Sequence, residues 1–331
     1  MTRRPILVLL ALCAELAAAT AGASTADVTV GSTPTPLFDP QTVTVRVGDS
    51  VRWTNVEGIH NVIADDGSFS SGSAASAPWV FVHTFTAAGT FGYYCLPHGG
   101  PGVGQFGTVI VLPAVELAHG SDRVEDLAGV PDTFRLGQKP YSSYEVVAES
   151  LAGNPTLRAD RLDAANGLIQ AGQAVTGTLD MIQSLRWENP TGGPVDAERV
   201  RVSSTCPGAC SANDVYRVRL SETTLAMPRY NNSGSQVSVV ILQNPTDYPI
   251  SGHVYFWSVA GALVNSGGTA FSLPGKGALA VSGAGVPGVP GTAGSVTVSH
   301  NGRYGDLMGK VVALEPSTGF SFDTPGLVRP R

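Results

Sequence analysis

Six short runs of alternating apolar and polar residues follow one another in the first third of this 331-residue chain. Alternation with a period of two residues is typical of strands that bury one face. The whole chain contains 40 Gly and 23 Pro, which favour turns over long helices. Short strands at this spacing predict a β-sandwich. The runs lie at residues 27–30, 42–47, 50–54, 80–85, 89–95 and 107–112.

From Pro113 onward the pattern changes. A polar connection at residues 115–130 leads into a weaker strand pattern, and the Asn-, Ser- and Gly-rich segment at 228–235 indicates a boundary. The strong strand patterns that follow resemble immunoglobulin-like sandwiches of secreted bacterial proteins. We therefore expect an all-β chain with one or two further β-sandwiches after the first. Its expected divisions are a signal peptide at 1–23, a first sandwich at 24–113, a β-rich domain at 114–227 and an immunoglobulin-like sandwich at 228–331.

The N-terminus has the features of an export signal. Arg3 and Arg4 precede an apolar segment that starts at residues 6–12, and residues 21–23 offer small side chains for cleavage. Glu15 interrupts the apolar segment, which argues against a membrane-spanning helix. The very short positively charged region favours the ordinary secretion route. A twin-arginine signal is the alternative. We expect a periplasmic or secreted protein without a membrane span.

Charge and motifs exclude several functions. The formal net charge is −6, the pI is near 5.5 and only 14% of residues are charged, so no basic surface for nucleic acid is expected. The sequence contains no nucleotide-binding loop and no arrangement of Ser, His and Asp or of paired carboxylates that supports hydrolysis. We therefore expect a protein that is not an enzyme.

The four cysteines separate into three groups. Cys13 leaves with the signal peptide, and Cys206 and Cys210 lie close enough to form a disulfide in an oxidising compartment. The alternative for this pair is a metal or redox site, but no histidine or acidic partner lies nearby in the sequence. Cys95 is left alone, and an unpaired cysteine in an exported protein calls for a role.

Cys95 lies three residues before His98, at the end of an aromatic strand, and a Gly-rich stretch follows at residues 99–104. His60 lies in a second short apolar segment. One thiolate and two imidazoles held by separate strands form a trigonal metal site, and copper is the metal that fits it best. A structural zinc site would need four such ligands. A dinuclear copper centre would need a second cysteine, and a multicopper enzyme would need His-x-His motifs, which are absent.

Residues 27–112 resemble the plastocyanin-type cupredoxins. The resemblance rests on Gly48-Asp49 before the Trp53 strand, on Ile59-His60-Asn61-Val62, and on Tyr94-Cys95 with His98 three residues later. It implies a Greek-key β-sandwich that holds one mononuclear type 1 copper ion. His60, Cys95 and His98 would be its equatorial ligands. Asn61 would hold the ligand loops together through backbone hydrogen bonds.

The sequence departs from the family at the fourth ligand. Plastocyanins usually place a methionine a few residues after the second histidine, and here Gln105 occupies that place. An amide oxygen is an alternative axial ligand that, as a harder donor, favours Cu(II) over Cu(I). The resemblance then implies a lower reduction potential than that of a methionine-ligated relative. The alternative is that Gln105 only hydrogen-bonds the loop and the copper has three ligands.

These features predict an exported type 1 (blue) copper protein that shuttles single electrons. By family analogy a redox partner docks on the small apolar patch around His98, and Tyr94 offers a second electron path. Core packing is the alternative role for Tyr93 and Tyr94, and His83 is expected at the surface or rim rather than among the ligands. The alternative function is a copper-binding or copper-sequestering module on an extracellular adhesion or scaffold protein. In that case the C-terminal sandwiches would contact proteins or glycans.

Overall fold

The computed structural model describes residues 25–31, 37–127, 132–153, 155–164, 166–176, 182–206, 208 and 210–331. The expected signal peptide at 1–23 lies outside these residues. Across the described residues the regular secondary structure is all β-strand, apart from a single 3-10 turn at Gly283–Gly285. None of the helical structure in these ranges is long and apolar enough to cross a membrane. The all-β prediction is confirmed.

The first sandwich consists of two four-stranded sheets with the orders β2-β1-β4-β8 and β3-β10-β9-β6. β1 runs parallel to β4 and β3 parallel to β10, while the other pairs are antiparallel. Its strands are β1 (Thr25–Gly31), β2 (Leu37–Asp39), β3 (Thr42–Arg46), β4 (Ser50–Asn55), β5 (Ile59–His60), β6 (Ile63–Ala64), β7 (Ala75–Ser76), β8 (Trp79–Thr84), β9 (Gly89–Gly100) and β10 (Val103–Leu112).

The core of this sandwich is built from the inward positions of the alternating runs. Trp53 and Tyr93 are fully buried between the sheets, with their ring centroids 5.2 Å apart in an edge-to-face arrangement. Phe69 stacks on Trp53 and is also buried. The alternating valines of β1, β3, β4 and β10 complete the core, because each strand turns every second side chain inward.

The second sandwich pairs a sheet of order β11-β13-β19-β15-β16, with β17 beside β15, with a sheet of order β12-β20-β14-β18. A disulfide joins Cys206 to Cys210, as the sequence predicts, and packs against its core. Its strands are β11 (Val115–Leu117), β12 (Asp122–Asp126), β13 (Asp132–Leu136), β14 (Ser142–Ser150), β15 (Thr156–Leu162), β16 (Leu168–Gln170), β17 (Val175–Thr176), β18 (Ile182–Asn189), β19 (Arg199–Thr205) and β20 (Val215–Glu222).

The third sandwich contains sheets of order β24-β23-β26-β21-β29 and β25-β22-β27-β28 around a separate core. The expected division between residues 227 and 228 falls inside its first strand. Its strands are β21 (Leu225–Asn231), β22 (Val237–Gln243), β23 (Ile250–Ser258), β24 (Thr269–Leu273), β25 (Ala278–Ser282), β26 (Ala293–His300), β27 (Met308–Glu315), β28 (Phe320–Pro325) and β29 (Leu327–Val328).

The first and second sandwiches touch at the turn between β3 and β4. The side-chain amide of Asn166 donates a hydrogen bond to the carbonyl of Gly48, and Arg199 donates to Asn166 Oδ1 at 3.0 Å. From this turn, β4 runs about 20 Å before the chain reaches His60, taking about 3.3 Å per residue. The second sandwich therefore contacts the end of the first sandwich that is remote from His60.

Candidate metal centre

Three side chains with metal-binding atoms converge at one end of the first sandwich. His60 is the last residue of β5, and Cys95 and His98 lie in the second half of β9. Cys95 Sγ lies 3.5 Å from Nδ1 of His60 and 3.5 Å from Nδ1 of His98, and the two nitrogens are 3.1 Å apart. Within the described ranges this is the one group of three or more His, Cys, Asp or Glu residues that could hold a metal ion.

These spacings suit a single ion. With metal–nitrogen bonds of about 2.0 Å and metal–sulfur bonds of about 2.3 Å, donors around one ion lie roughly 3.3–3.7 Å apart. The measured separations of 3.1 and 3.5 Å are close to that range. A soft thiolate with two imidazoles is a donor set that copper prefers. The three residues predicted from the sequence therefore lie where one copper ion would need them.

The register of the β9–β10 hairpin creates the ligand loop. Tyr94 pairs with Phe106, and Gly99 pairs with Gly104. The four residues from Cys95 to His98 therefore lie opposite a single residue, Gln105. Such a mismatch breaks the ladder and bends the strand, which re-aims its side chains. The thiol and the second imidazole can thus point to the same place from one strand.

Two glycines allow the hairpin to close tightly behind this loop. Gly104 has φ +68°, and a Cβ there would collide with the carbonyl of His98. A Cβ on Gly99 would meet the carbonyl of Val103 and lie 2.7 Å from the Gln105 amide nitrogen. The Gly-rich stretch at residues 99–104 is thus a paired hairpin, closed by a turn at residues 101 and 102.

The Cys95 thiol is buried and receives backbone hydrogen bonds. Burial raises its pKa, and hydrogen bonds from the backbone N–H groups of Asn61 and His98 act in the opposite direction. The Asn61 side chain accepts from the Leu96 N–H at 2.9 Å and donates to the carbonyl of Gly72 at 3.0 Å. Asn61 thus ties three segments together, through the contacts that the resemblance implies.

His60 is fully buried beside the thiol. Burial lowers its pKa, and the charge of His98 lowers it further, while the contact with the Gln105 side chain and the charge of Glu57 partly oppose this. The environment therefore favours the neutral imidazole. With its proton on Nε2, that form has a free lone pair on Nδ1 and can bind a metal ion.

Gln105 is 1% exposed and is held by one of its two polar atoms. Its Nε2 donates to the carbonyl of Leu37 at 2.9 Å. Its Oε1 is buried and accepts no hydrogen bond of good geometry from the described residues, although the side chain lies near enough to His60 to affect the pKa of that residue. A buried acceptor without a donor is costly. A buried acceptor without a hydrogen bond, close to the His60 imidazole, fits a fourth metal ligand.

The aromatic residues around the site mostly belong to the core. Tyr93 is fully buried, and burial raises its pKa to about 12. Tyr94, next to Cys95, is half-buried. His83 stacks on Phe69 with ring centroids 4.7 Å apart and is not among the converging ligands.

The sequence did not indicate two residues that contribute to the site and its surroundings, Leu37 and Phe69. The carbonyl of Leu37 lies in a three-residue strand without a clear pattern. Phe69 lies in a Ser- and Gly-rich stretch at residues 67–73 and is nevertheless only 5% exposed. A lone aromatic residue in such a stretch was the available signal.

His98 is exposed, in contrast to His60 and Cys95. Its neighbours include Leu96 and Val103, which are 62% and 64% exposed. We call the surface formed by residues 58–60 and 96–103 the ligand end. One edge of the proposed metal centre is therefore accessible from solvent, and the surface around it is apolar.

The fold and the donor set define a cupredoxin: a two-sheet sandwich with a His, Cys and His centre near one end. Residues 26–112 match the family model described as copper binding proteins, plastocyanin/azurin family. The chain belongs to this family through its first sandwich, and copper is the cofactor of that family.

Plastocyanins are among the similar proteins. The chloroplastic plastocyanin of Tetradesmus obliquus is 39% identical over 101 residues, which are 27% of this chain and 68% of that protein. The plastocyanin of Prochlorothrix hollandica is 35% identical over 120 residues, 32% of this chain and 90% of that protein. The solved structure of oxidised plastocyanin from Dryopteris crassirhizoma is 24% identical and covers 26% of this chain and 99% of its own, with a TM-score of 0.22. These three matches cover at most about a third of the chain.

Proposed function

We propose that this chain is an exported type 1 copper protein that carries single electrons. His60, Cys95 and His98 would be its equatorial ligands, and Gln105 its axial ligand. The observation that carries the proposal is the convergence of one thiol and two imidazole nitrogens within 3.1–3.5 Å, with one imidazole exposed. Bound copper would supply a one-electron couple that thiolate and imidazole ligands support in both oxidation states.

The protein would serve this chemistry by holding the ligands still. Cys95 and His60 are buried in a packed sandwich, and Asn61 links the loops that carry them. Backbone N–H groups directed at the Cys95 sulfur and the dry packing around it tune the potential of such sites. A site that changes little between its two states needs little rearrangement when an electron is transferred.

The contacts of the amide nitrogen and the amide oxygen of Gln105 support its role as axial ligand. Only the nitrogen can donate, and it donates to Leu37, so the oxygen remains for the metal. As a harder donor than a thioether, the amide oxygen would stabilise Cu(II) and lower the reduction potential.

The redox partner would dock at the ligand end. His98 is the exposed ligand, and the apolar side chains of Leu96 and Val103 flank it. Electrons would pass through the His98 imidazole, with Tyr94 as a second path beside Cys95. The chain would thus exchange electrons with its partner without turning over a bound substrate.

Export is supported by the apolar N-terminal segment and by the Cys206–Cys210 disulfide, since disulfides persist in oxidising compartments. Three separate cores support a division into one copper-binding domain and two further sandwiches. The two further sandwiches make up most of the chain, which favours one second candidate function. In it, the copper domain is a copper-binding module on an extracellular scaffold whose sandwiches contact proteins or glycans.

Copper loading tests the proposal. We expect the full chain with Cu(II) to show an intense thiolate-to-copper absorption band and a type 1 EPR spectrum. Both should disappear in Cys95→Ser and persist in His83→Ala, which removes a histidine outside the ligand group. The band should bleach and return when a small redox mediator reduces and reoxidises the protein. A colourless protein, or a blue one that cannot be cycled, would contradict the electron-carrier function.

A further inference from the structure

The second and third sandwiches are built from matching sheets. One sheet of the second sandwich has the order β12-β20-β14-β18, and the matching sheet of the third has the order β28-β27-β22-β25. The opposite sheets match in the same way, as β13-β19-β15-β16 and β21-β26-β23-β24. The outer faces of the two sandwiches can therefore be compared strand by strand.

In the second sandwich, the sheet β12-β20-β14-β18 turns charged side chains outward. The core residues of β14 alternate with outward ones, among them Glu145 and Glu149. Glu145 lies opposite Arg186 of β18, and Glu149 lies opposite Arg217 of β20. Part of this face packs on the third sandwich, where the backbone N–H of Tyr304 donates to Glu145 Oε2 at 3.0 Å. This topology is thus compatible with a charged outer face.

The matching sheet of the third sandwich turns apolar side chains outward. Val240 and Leu242 of β22 enter the core, so Val239 and Ile241 face away from it. The register places Val312 of β27 opposite Val239. We call this outer surface of β25-β22-β27-β28 the apolar face. Its apolar residues include Val239, Ile241, Ala280, Met308, Val312 and Leu314.

The apolar face is open to solvent and carries no net charge. Met308 and Leu314 are 55% and 42% exposed, and Val312 between them is half-buried. The charged side chains on this face, Lys310 and Asp323, pair with each other at 2.8 Å. Exposed apolar side chains that lie together, rather than singly, mark an interaction surface.

We infer that the apolar face binds the same face of a second copy of this chain, giving a two-fold symmetric dimer. A neutral apolar face does not repel its own copy, and in a two-fold dimer one surface serves both partners. Stacked sheets already join the second and third sandwiches, where Glu188 meets His253 of β23 at 3.0 Å. The apolar face lies on the opposite sheet of the third sandwich, so a second copy would continue this stack.

The size of the apolar face fits a weak dimer. Four strands about 4.8 Å apart and four outward positions along β27 span an area about 15–20 Å wide and about 20 Å long. Two copies would bury on the order of 1,000 Å² in total, which is at the lower end for specific interfaces. We therefore expect a dissociation constant of about 10–100 µM.

Sedimentation equilibrium of the full chain between about 1 and 500 µM tests this inference. We expect the molar mass to rise from one chain to two and no further, because a two-fold interface is closed. Leu314→Glu and Met308→Glu each place a charge at the interface on both copies. Either should weaken association about tenfold or more, since the charge would lose its hydration without gaining a partner.

Val259→Glu is the matched control. Val259 is 87% exposed and follows β23, in the other sheet of the third sandwich. The variant changes the net charge by the same amount and should leave association unchanged. All three variants should unfold at the same denaturant midpoint as the unmodified chain, because the replaced side chains are exposed. A dimer that the two interface variants weaken no more than Val259→Glu does would overturn the inference. A chain that stays monomeric at the highest concentration would also overturn it, and would leave the apolar face to a different partner.

Discussion

As the proposed axial ligand, Gln105 would set the reduction potential of the proposed copper centre. Its amide nitrogen is held by the Leu37 carbonyl, and its oxygen is buried without a hydrogen-bond donor of good geometry. An axial ligand acts on the potential through its softness, because a softer donor stabilises Cu(I). With Gln at this position we therefore expect a lower reduction potential than with the methionine that plastocyanins usually carry.

Replacing Gln105 with Met should raise the reduction potential. A thioether is softer than an amide oxygen, and we expect a rise of about 59 mV or more, which is tenfold in a one-electron equilibrium. Redox titration of the thiolate-to-copper band measures the shift. Gln41→Met is the matched control, because Gln41 is exposed and donates to the Phe106 carbonyl outside the ligand group. An unchanged potential in Gln105→Met would remove Gln105 from the ligands.

Residue types and their spacing predict His60, Cys95, His98 and Gln105 as ligands, and the structure brings the first three together. The chemistry of thiolates and imidazoles is carried by the side chains themselves, so a sequence can propose such a group before its geometry is known. The partners that hold the ligands are different. The Leu37 contact uses a backbone carbonyl, which every residue has, so no residue type could indicate it.

The β9–β10 hairpin is the element that brings the ligands together. Its register places four residues of β9 opposite Gln105, and Gly104 makes the return strand pass close to the backbone of His98. Any side chain at Gly104 would need both a left-handed backbone and room that is absent. The shape of the ligand loop therefore depends on this glycine.

Two glycine substitutions distinguish backbone strain from collision. Gly102 has φ +70° and no atoms near the position of a Cβ, so Gly102→Ala should cost about 1–2 kcal/mol from backbone strain alone. Gly104→Ala should cost more, because its Cβ also meets the His98 carbonyl and the Cα of Gly99. It should also weaken copper binding. Denaturant unfolding and competition for Cu(II) with a chelator measure both effects, and equal losses in the two variants would contradict the role of Gly104.

Strands of the first sandwich were predictable where one face is buried. β3, β4 and β10 alternate because every second side chain enters the core, and the sequence shows this directly. The path of residues 99–104 was not predictable, since glycine tolerates both an open loop and a tight hairpin. The side-chain direction of Gln105 depends on the irregular register, which leaves no trace in an alternating pattern.

At the scale of the whole molecule, the contacts between sandwiches could not be inferred from the sequence. Arg199 alternates with the core residues Val200 and Val202 on β19, as an outward-facing residue would. It is nevertheless 6% exposed, because the first sandwich covers it. Glu188 of the second sandwich likewise meets His253 at 3.0 Å in the third. Burial by another sandwich is set by how the domains dock, and strand periodicity does not report it.

Arg199→Ala should loosen the contact between the first and second sandwiches and leave the copper centre intact. The arginine packs on Gly48 of the first sandwich and donates to Asn166, whose amide donates to the Gly48 carbonyl, and losing such a buried bond costs about 1–3 kcal/mol. We expect a lower unfolding midpoint with an unchanged thiolate-to-copper band, because the ligands lie at the other end of the sandwich. Arg135→Ala is the control, since its pair with Glu116 is exposed and worth under about 1 kcal/mol. A changed copper spectrum would contradict the independence of the two ends.

His300 makes the junction between the second and third sandwiches sensitive to acid. It is fully buried, its Nε2–H donates to the carbonyl of Thr223 at 2.9 Å, and its Nδ1 accepts from the Gly302 N–H at 3.1 Å. Burial lowers its pKa to about 4, from 6.5 in an exposed histidine. At a pH between these two pKa values, His300 binds a proton in the unfolded chain but not in the folded chain. The free energy of unfolding should therefore fall by about 3 kcal/mol as the pH drops from 6.5 to 4.

Urea unfolding of the full chain at several pH values measures this loss, and His300→Gln separates it from the titration of carboxylates. The variant lacks the group that titrates in this window, so its stability should fall less steeply between pH 6.5 and 4 than that of the unmodified chain. It should also be less stable at neutral pH, because a glutamine amide cannot reproduce both ring contacts of His300. Since Thr223 joins the two sandwiches, the loss should appear first in their separation. Identical slopes in the two proteins would assign the acid sensitivity to other groups.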